Sequence, residues 1–249
     1  MALFQAYYDA SGSEASLRTG GLSVVGVVAT EAKWLKFERD WERVLAEYRV
    51  DAHHMKHFTG PTPRTVFDGW DAPTRAKYYQ ALIASLKRGM QKAFAVNVEP
   101  DTLDEVNKHY QFTEHAYAFA ANLCRRYAEK WVVQHHPSAA LSHVFEHGDT
   151  GQGVLLQAAK LNDIITGLKF PLTIVPKKDG TGKRYRQFEA ADMLAWEVRR
   201  AVLDSRSGHS FRGSLLAIGK HLPISGARLT AERVLRICAS RPDIYPPRV

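Results

Sequence analysis

At 249 residues, with 45% hydrophobic and 24% charged side chains, the chain is long enough to bury a sizeable core and too apolar to be a disordered polymer. A formal net charge of +8 favours an anionic partner such as nucleic acid. No apolar run approaches the roughly 20 residues of a membrane helix, and Asp9 interrupts the stretch a signal peptide would keep apolar, so the expectation is a cytoplasmic protein with no membrane partner.

Leu3 to Tyr8 is aromatic and strand-prone, and it ends in Asp9 just before a small-residue turn at Ser11-Gly12. Residues 21–29 predict a second, nearly all-apolar strand, entered through a bend at Thr19-Gly20-Gly21. Trp34, Phe37, Trp41, Val44, Leu45 and Tyr48 recur at helical spacing, which predicts a helix over about 31–48 with its aromatics in the core. Residues 51–69, rich in His and Pro, read as irregular. Pro73 then opens a helix bearing Tyr78, Tyr79, Leu82, Ile83 and Leu86. Residues 93–98 predict a third strand, stopped by Pro100. A long helical region over about 101–134, interrupted near Tyr110-Gln111, carries the stripe Tyr117, Ala120, Leu123, Cys124, Tyr127 and Trp131. Residues 141–146 are a fourth strand, 153–166 a helix and 172–175 a fifth strand. Residues 187–204 form a helix with Ala191, Leu194, Ala195, Val198 and Val202 on one face, and a last helix runs from an N-cap at Thr230 to about 239. Cys124 and Cys238 follow neither CxxC nor metal-finger spacing and read as two structural thiols.

Two early strands and a third after a helical insertion at about 31–90 read as an antiparallel meander. Strands four and five are each reached through a helix, which implies parallel crossovers. The expectation is one α/β domain over 1–249: a mixed five-stranded sheet flanked by helices, in the order of the ribonuclease H-like fold, with a basic extension over about 205–249. Strands one and four are then parallel neighbours. Asp9 and Glu146 stand side by side at their carboxyl ends, where open α/β sheets bind ligands, and the Asp192 helix crosses that edge.

Carboxylates delivered from separate elements to one place suit hard cations, which take oxygen ligands. Two Mg²⁺ or Mn²⁺ ions about 3.5–4 Å apart activate water and stabilise the leaving oxygen in phosphodiester hydrolysis. In this reading Asp9 bridges both ions, Glu146 holds one and Asp192 the other. The rival for Asp192 is a salt bridge to Arg199. Asp149 reads as the N-cap of the next helix, while Glu189, three residues before Asp192, shares its helix face, and its membership of the site stays open. His54 is a candidate general acid or phosphate contact, because an imidazole titrates near 6.5. His53, His54 and His57 have no cysteine in zinc-ligand spacing. Lys177, Lys178, Lys183, Arg184 and Arg186 crowd a segment that Gly180 and Gly182 make irregular, and they read as a nucleic-acid clamp; the arginines from Arg199 to Arg241 read equally well as solvated surface. Gly180-Thr181-Gly182-Lys183 lacks the full phosphate-loop pattern, and Ser11-Gly12 is no nucleophile elbow.

Tyr8-Asp9-Ala10-Ser11-Gly12, the apolar strand over 21–29, the Trp34/Trp41 helix, His54-Met55, Phe145-Glu146-x-Gly148-Asp149 and Gln187-x-x-x-Ala191-Asp192-Met193-Leu194-Ala195 together resemble the domain-of-unknown-function-3800 family. Those are bacterial and phage proteins regarded as ribonuclease H-like, and the resemblance spans residue 7 to about 200. The family usually carries Glu after the first Asp. Ala10 stands there in this chain, which implies that position 10 is not a ligand. Two functions remain open: a divalent-metal-dependent nuclease, or a catalytically silent nucleic-acid-binding or assembly module on the same fold.

Overall fold

Strand-prone apolar runs supply the centre of the molecule. In the computed structural model, which describes residues 2–13, 15, 17–60, 64–112, 115–166 and 170–248, β1 (Leu3–Ser11), β2 (Leu22–Thr30) and β3 (Lys92–Val98) pair as an antiparallel meander. A short turn of helix, α1 (Leu17–Gly20), links the first two, and α2 (Glu31–Glu47), α3 (Met55–Thr59) and α4 (Ala72–Gly89) separate β2 from β3. After α5 (Thr102–Val106) and α6 (Ala116–His135) the chain returns as β4 (Ala140–Glu146), parallel to β1. It crosses through α7 (Gln152–Thr166) to β5 (Leu172–Val175), parallel to β4. The remainder forms α8 (Arg186–Arg206), α9 (Gly213–Gly219), β6 (Ile224–Leu229) and α10 (Ala231–Ser240).

Among the described residues the sheet therefore has six strands, in the order β5-β4-β1-β2-β3-β6, where the sequence predicts five. The additional strand lies within the basic C-terminal region. Ile224-Ser225-Gly226-Ala227-Arg228-Leu229 has little β-branched character, and its central Ser-Gly pair interrupts the apolar alternation, so no sustained period-2 pattern announces it. It is a strand because β3 would otherwise offer a free edge, and β6 pairs with it from Ala93↔Ile224 to Val98↔Leu229. Two further expectations are refined: residues 51–69 include the helix α3, and the helical region after β3 is divided into α5 and α6.

Period-2 alternation gives the sheet two different faces. Phe4, Ala6 and Tyr8 pack with Val24, Val28 and α6 on one side. Tyr7, Val25 and Val27 pack with α2, α4 and α8 on the other. β2 is buried on both faces, which explains its nearly unbroken apolar run. Fully buried Ala190, Ala191 and Ala195 let α8 lie closely over β1 and β2. Among the described residues no helix is long and apolar enough to cross a membrane.

Gly26 lies opposite Tyr8 in the β1–β2 ladder, and a Cβ there would come within 2.2 Å of the Tyr8 ring. That ring has nowhere to go. It stacks on Phe145 with centroids 4.2 Å apart, and its hydroxyl is 2.8 Å from His143 Nδ1. Gly26→Ala is therefore expected to destabilise the protein by about 1–3 kcal/mol through overpacking, read from the midpoint of urea unfolding.

Candidate active site

The β1–β4 register brings two of the acids together. Tyr8 pairs with Phe145, so Asp9 and Glu146, the next residue on each strand, stand level at the carboxyl ends of neighbouring parallel strands. Alternation then fixes the face. Tyr7 and Val144 pack on the α8 side, and Asp9 and Glu146 lie two residues further on. From above, α8 adds Asp192. The three acids line one cleft of about 360 Å³ together with His54, Lys177 and Arg184.

Crowding dominates the electrostatics here. Burial, and after it the charges of Asp192 and Glu146, hold the Asp9 carboxyl well above the usual carboxylate range, although Asp9 Oδ1 accepts a 2.7 Å hydrogen bond from the Ala10 N–H. Asp192 Oδ2 accepts a 2.7 Å bond from the Met55 N–H and lies 3.1 Å from His54 Nδ1. That contact raises the His54 pKa against the opposing effect of burial. Lys177 Nζ stands 3.0 Å from Glu146 Oε1, and the pairing raises the lysine's pKa. The rival pairing of Asp192 with Arg199 does not form: Arg199 Nε donates instead to the Gly20 and Gly21 carbonyls, 3.0 Å from each.

Among the described residues, no three His, Cys, Asp or Glu side chains stand ready as a set that could hold a metal ion. Lys177 serves as a counter-charge to Glu146, and His54 stands against Asp192, a contact that favours its protonated form. By chemistry the donors nonetheless suit a hard divalent cation: all are carboxylate oxygens, and Glu146 Oε1 is shut off from solvent without a well-aligned hydrogen bond.

Other candidates have separate jobs. Both Glu189 oxygens are engaged: Oε2 accepts from Trp41 Nε1 at 2.8 Å and from the His53 N–H at 3.0 Å, and Oε1 accepts from Arg186 Nη1 at 2.7 Å. Glu189 thus ties α2, the loop before α3 and α8 together. Asp149 is not the helix N-cap, because α7 begins only at Gln152; its carboxyl shares a hydrogen bond with Tyr117, and burial raises its pKa. The Lys177–Arg186 stretch is also more regular than its glycines suggest. Lys178 bridges Arg184 across a tight turn, and Asp179 Oδ1 accepts from the Thr181 and Lys183 N–H groups at 2.9 Å each. Lys183 pairs with Glu38 at 3.0 Å, and Arg186 with Glu189 and Glu42. Lys177 and Arg184 line the cleft, while Lys178 is exposed.

Neither protein-family models nor curated proteins yield a match to this chain.

The engagement of the acids separates a structural carboxylate from a chemical one. Glu189→Ala should cost about 2–4 kcal/mol, because it strips a buried indole, a backbone N–H and an arginine of their acceptor. Asp9→Asn should leave stability unchanged or raise it by about 1 kcal/mol, since it relieves like-charge crowding. Paired denaturant titrations in metal-free buffer check both.

His53 gives the fold an acid sensitivity. It is buried, with Nδ1 3.1 Å from the Tyr78 hydroxyl, and burial lowers its pKa from 6.5 to about 4. Between those values the unfolded chain binds more protons, so stability is full above about pH 6.5 and is lost as the pH falls toward 4. His143, buried and likewise lowered, acts in the same direction. Between about pH 7 and about pH 5 His53 should account for a loss of about 2 kcal/mol. His53→Gln is expected to flatten that part of the stability profile.

Proposed function

We propose that this chain is a divalent-metal-dependent nuclease in which Asp9, Glu146 and Asp192 hold Mg²⁺ or Mn²⁺. The observation that carries the reading is the meeting of carboxylates from β1, β4 and α8 in one cleft at the carboxyl edge of parallel strands. The order β5-β4-β1-β2-β3, an antiparallel meander continued by two parallel strands, matches that of ribonuclease H-like sheets, with β6 added at the far edge. The resemblance of Asp9-x-Ser11-Gly12 and Gln187-x-x-x-Ala191-Asp192-x-Leu194-Ala195 to the domain-of-unknown-function-3800 family supports the same assignment.

Divalent ions bound by these acids would supply the Lewis acidity that activates water and offsets charge at the scissile phosphate. The chain's own residues do the rest. Asp192 accepts from Met55 and faces His54, so it orients the imidazole and favours its protonated form. With Nδ1 toward Asp192, Nε2 remains to pass a proton to the leaving oxygen. Lys177 and Arg184, on the cleft wall, attract the phosphates. Lys183 and Arg186 are taken up by protein carboxylates and contribute mainly to holding the hairpin and α8 in place.

A second reading, the silent nucleic-acid-binding or assembly module, is favoured by one observation: His54 and Lys177 already partner Asp192 and Glu146. Labelled RNA and DNA, single- and double-stranded, incubated with Mg²⁺, Mn²⁺ or EDTA separate the two. The nuclease reading expects cleavage that EDTA stops and Asp9→Asn abolishes, with nucleic-acid affinity largely kept. Binding without cleavage under every metal condition, and no Mn²⁺ uptake by calorimetry, would establish the silent module instead.

A further inference from the structure

A second cleft, of about 350 Å³, opens beyond Asp192 and shares Ala10, His54 and Asp192 with the first. Its far wall includes Ser11, Trp196 and Arg199. Arg199 follows Asp192 by seven residues, two turns along α8, so both occupy the same side of that helix. We infer that Arg199 is a phosphate-binding residue, which holds the backbone of a nucleic-acid strand next to the scissile position. The inference rests on the nucleic-acid reading above and extends it to a residue outside the acidic cleft.

Arg199 is held in place yet unspent. Its Nε donates to the carbonyls of both Gly20 and Gly21, which fixes the plane of the guanidinium. Among the described residues, no carboxylate pairs with it, and neither terminal nitrogen donates to a protein acceptor. Arg75 shows what a purely structural arginine looks like in this fold. Its Nε, Nη1 and Nη2 go to the carbonyls of Trp70, Phe58 and Phe67, so all three nitrogens are used. Arg125, fully buried, and Arg88, more exposed, each have a carboxylate partner. A half-buried guanidinium with both terminal nitrogens open is a fork matched to two oxygens of a phosphate.

Space for this fork is built by glycine. A Cβ on Gly20 would fall 1.9 Å from Arg199 Nη2, and one on Gly12 would fall 3.0 Å from Nε. Gly12 and Gly21 also have positive φ, so the loop around the guanidinium uses glycine for both room and conformation. Lys177 and Arg184 flank the carboxylates on one side and Arg199 stands on the other. A strand laid across the acids meets a cation at each end, and its phosphates offset the repulsion on the way.

Fluorescence anisotropy with labelled single-stranded DNA and RNA in EDTA tests this without metal or cleavage. Arg199→Gln should weaken binding by about tenfold and reduce the log–log salt slope by about 0.7–0.9, the loss of one phosphate contact. Gly20→Ala keeps every charge and meets only the far end of a flexible side chain, and it should weaken binding several-fold, on the order of the loss from a misplaced contact. Arg236→Gln, on the exposed side of α10, should change neither quantity. Should Arg199→Gln fail to fold, Gly20→Ala decides alone. Unchanged affinity and slope in the folded variants, or an equal loss in Arg236→Gln, overturns the assignment of Arg199 and leaves the nuclease reading standing. Failure of the unmodified protein to bind any of these nucleic acids overturns both.

Discussion

Mutual repulsion of three carboxylates held in one cleft is the constraint around which the rest of the structure is arranged. Strand pairing leaves Asp9 and Glu146 no room to separate, because their positions follow from the same ladder that makes the core. Asp192 cannot retreat either, since the alanines around it bind α8 closely to β1 and β2. The fold meets the cost with a cation at the rim, Lys177, with the His54 imidazole beside Asp192, and with N–H donors from Ala10 and Met55. Such an arrangement is poorly suited to stability alone. It makes sense as a place that gains when positive charge arrives from outside.

Residues three apart on α8 illustrate how differently a fold treats two acids. Glu189 has every oxygen answered by a donor from elsewhere in the chain, and it draws α2 and the loop before α3 onto the helix. Asp192 is placed by that clamp but shares its cleft with two other carboxylates. The first acid makes the platform rigid, and the second uses the rigidity. His53 and His54 repeat the division one residue apart. His53 is buried and kept neutral by burial, while His54 reaches the cleft and is biased toward its charged form by Asp192.

Much of this was legible in the sequence. The runs ending at Asp9 and Glu146 are strongly strand-prone and apolar, so their existence, their direction and the juxtaposition of their terminal acids follow from pattern and crossover rules. The apolar face read over residues 187–204, Ala191 and Ala195 included, is the one that packs into the core. What escaped reading is decided by contacts distant in sequence. β6 is a strand because β3 has an edge to fill, which nothing in residues 224–229 reveals. Asp149 follows a strand and precedes a helix, yet α7 starts too late for it to cap, and Tyr117 on α6 claims it. The basic hairpin owes its order to Asp179, whose side chain replaces the regular turn its glycines do not specify. Arg199 reads from the sequence as a partner for Asp192 or as solvated surface, and its actual carbonyl partners, Gly20 and Gly21, lie on a distant part of the chain.

The place of β6 in the sheet also bears on how the chain comes to be folded during synthesis. β1, β2 and β3 emerge early and can form their meander, but the strand that covers the outer edge of β3 is made some 130 residues later, Ile224 pairing with Ala93. Through that interval the nascent chain carries an unpaired, apolar sheet edge, the kind that recruits other strands. The acidic cleft is late too, because α8 must be made before Asp192 can reach Asp9. Closure of the sheet and assembly of the cleft therefore both wait on segments made well after the meander, so a chain that stopped short of α8 would expose the β3 edge and lack Asp192 as well.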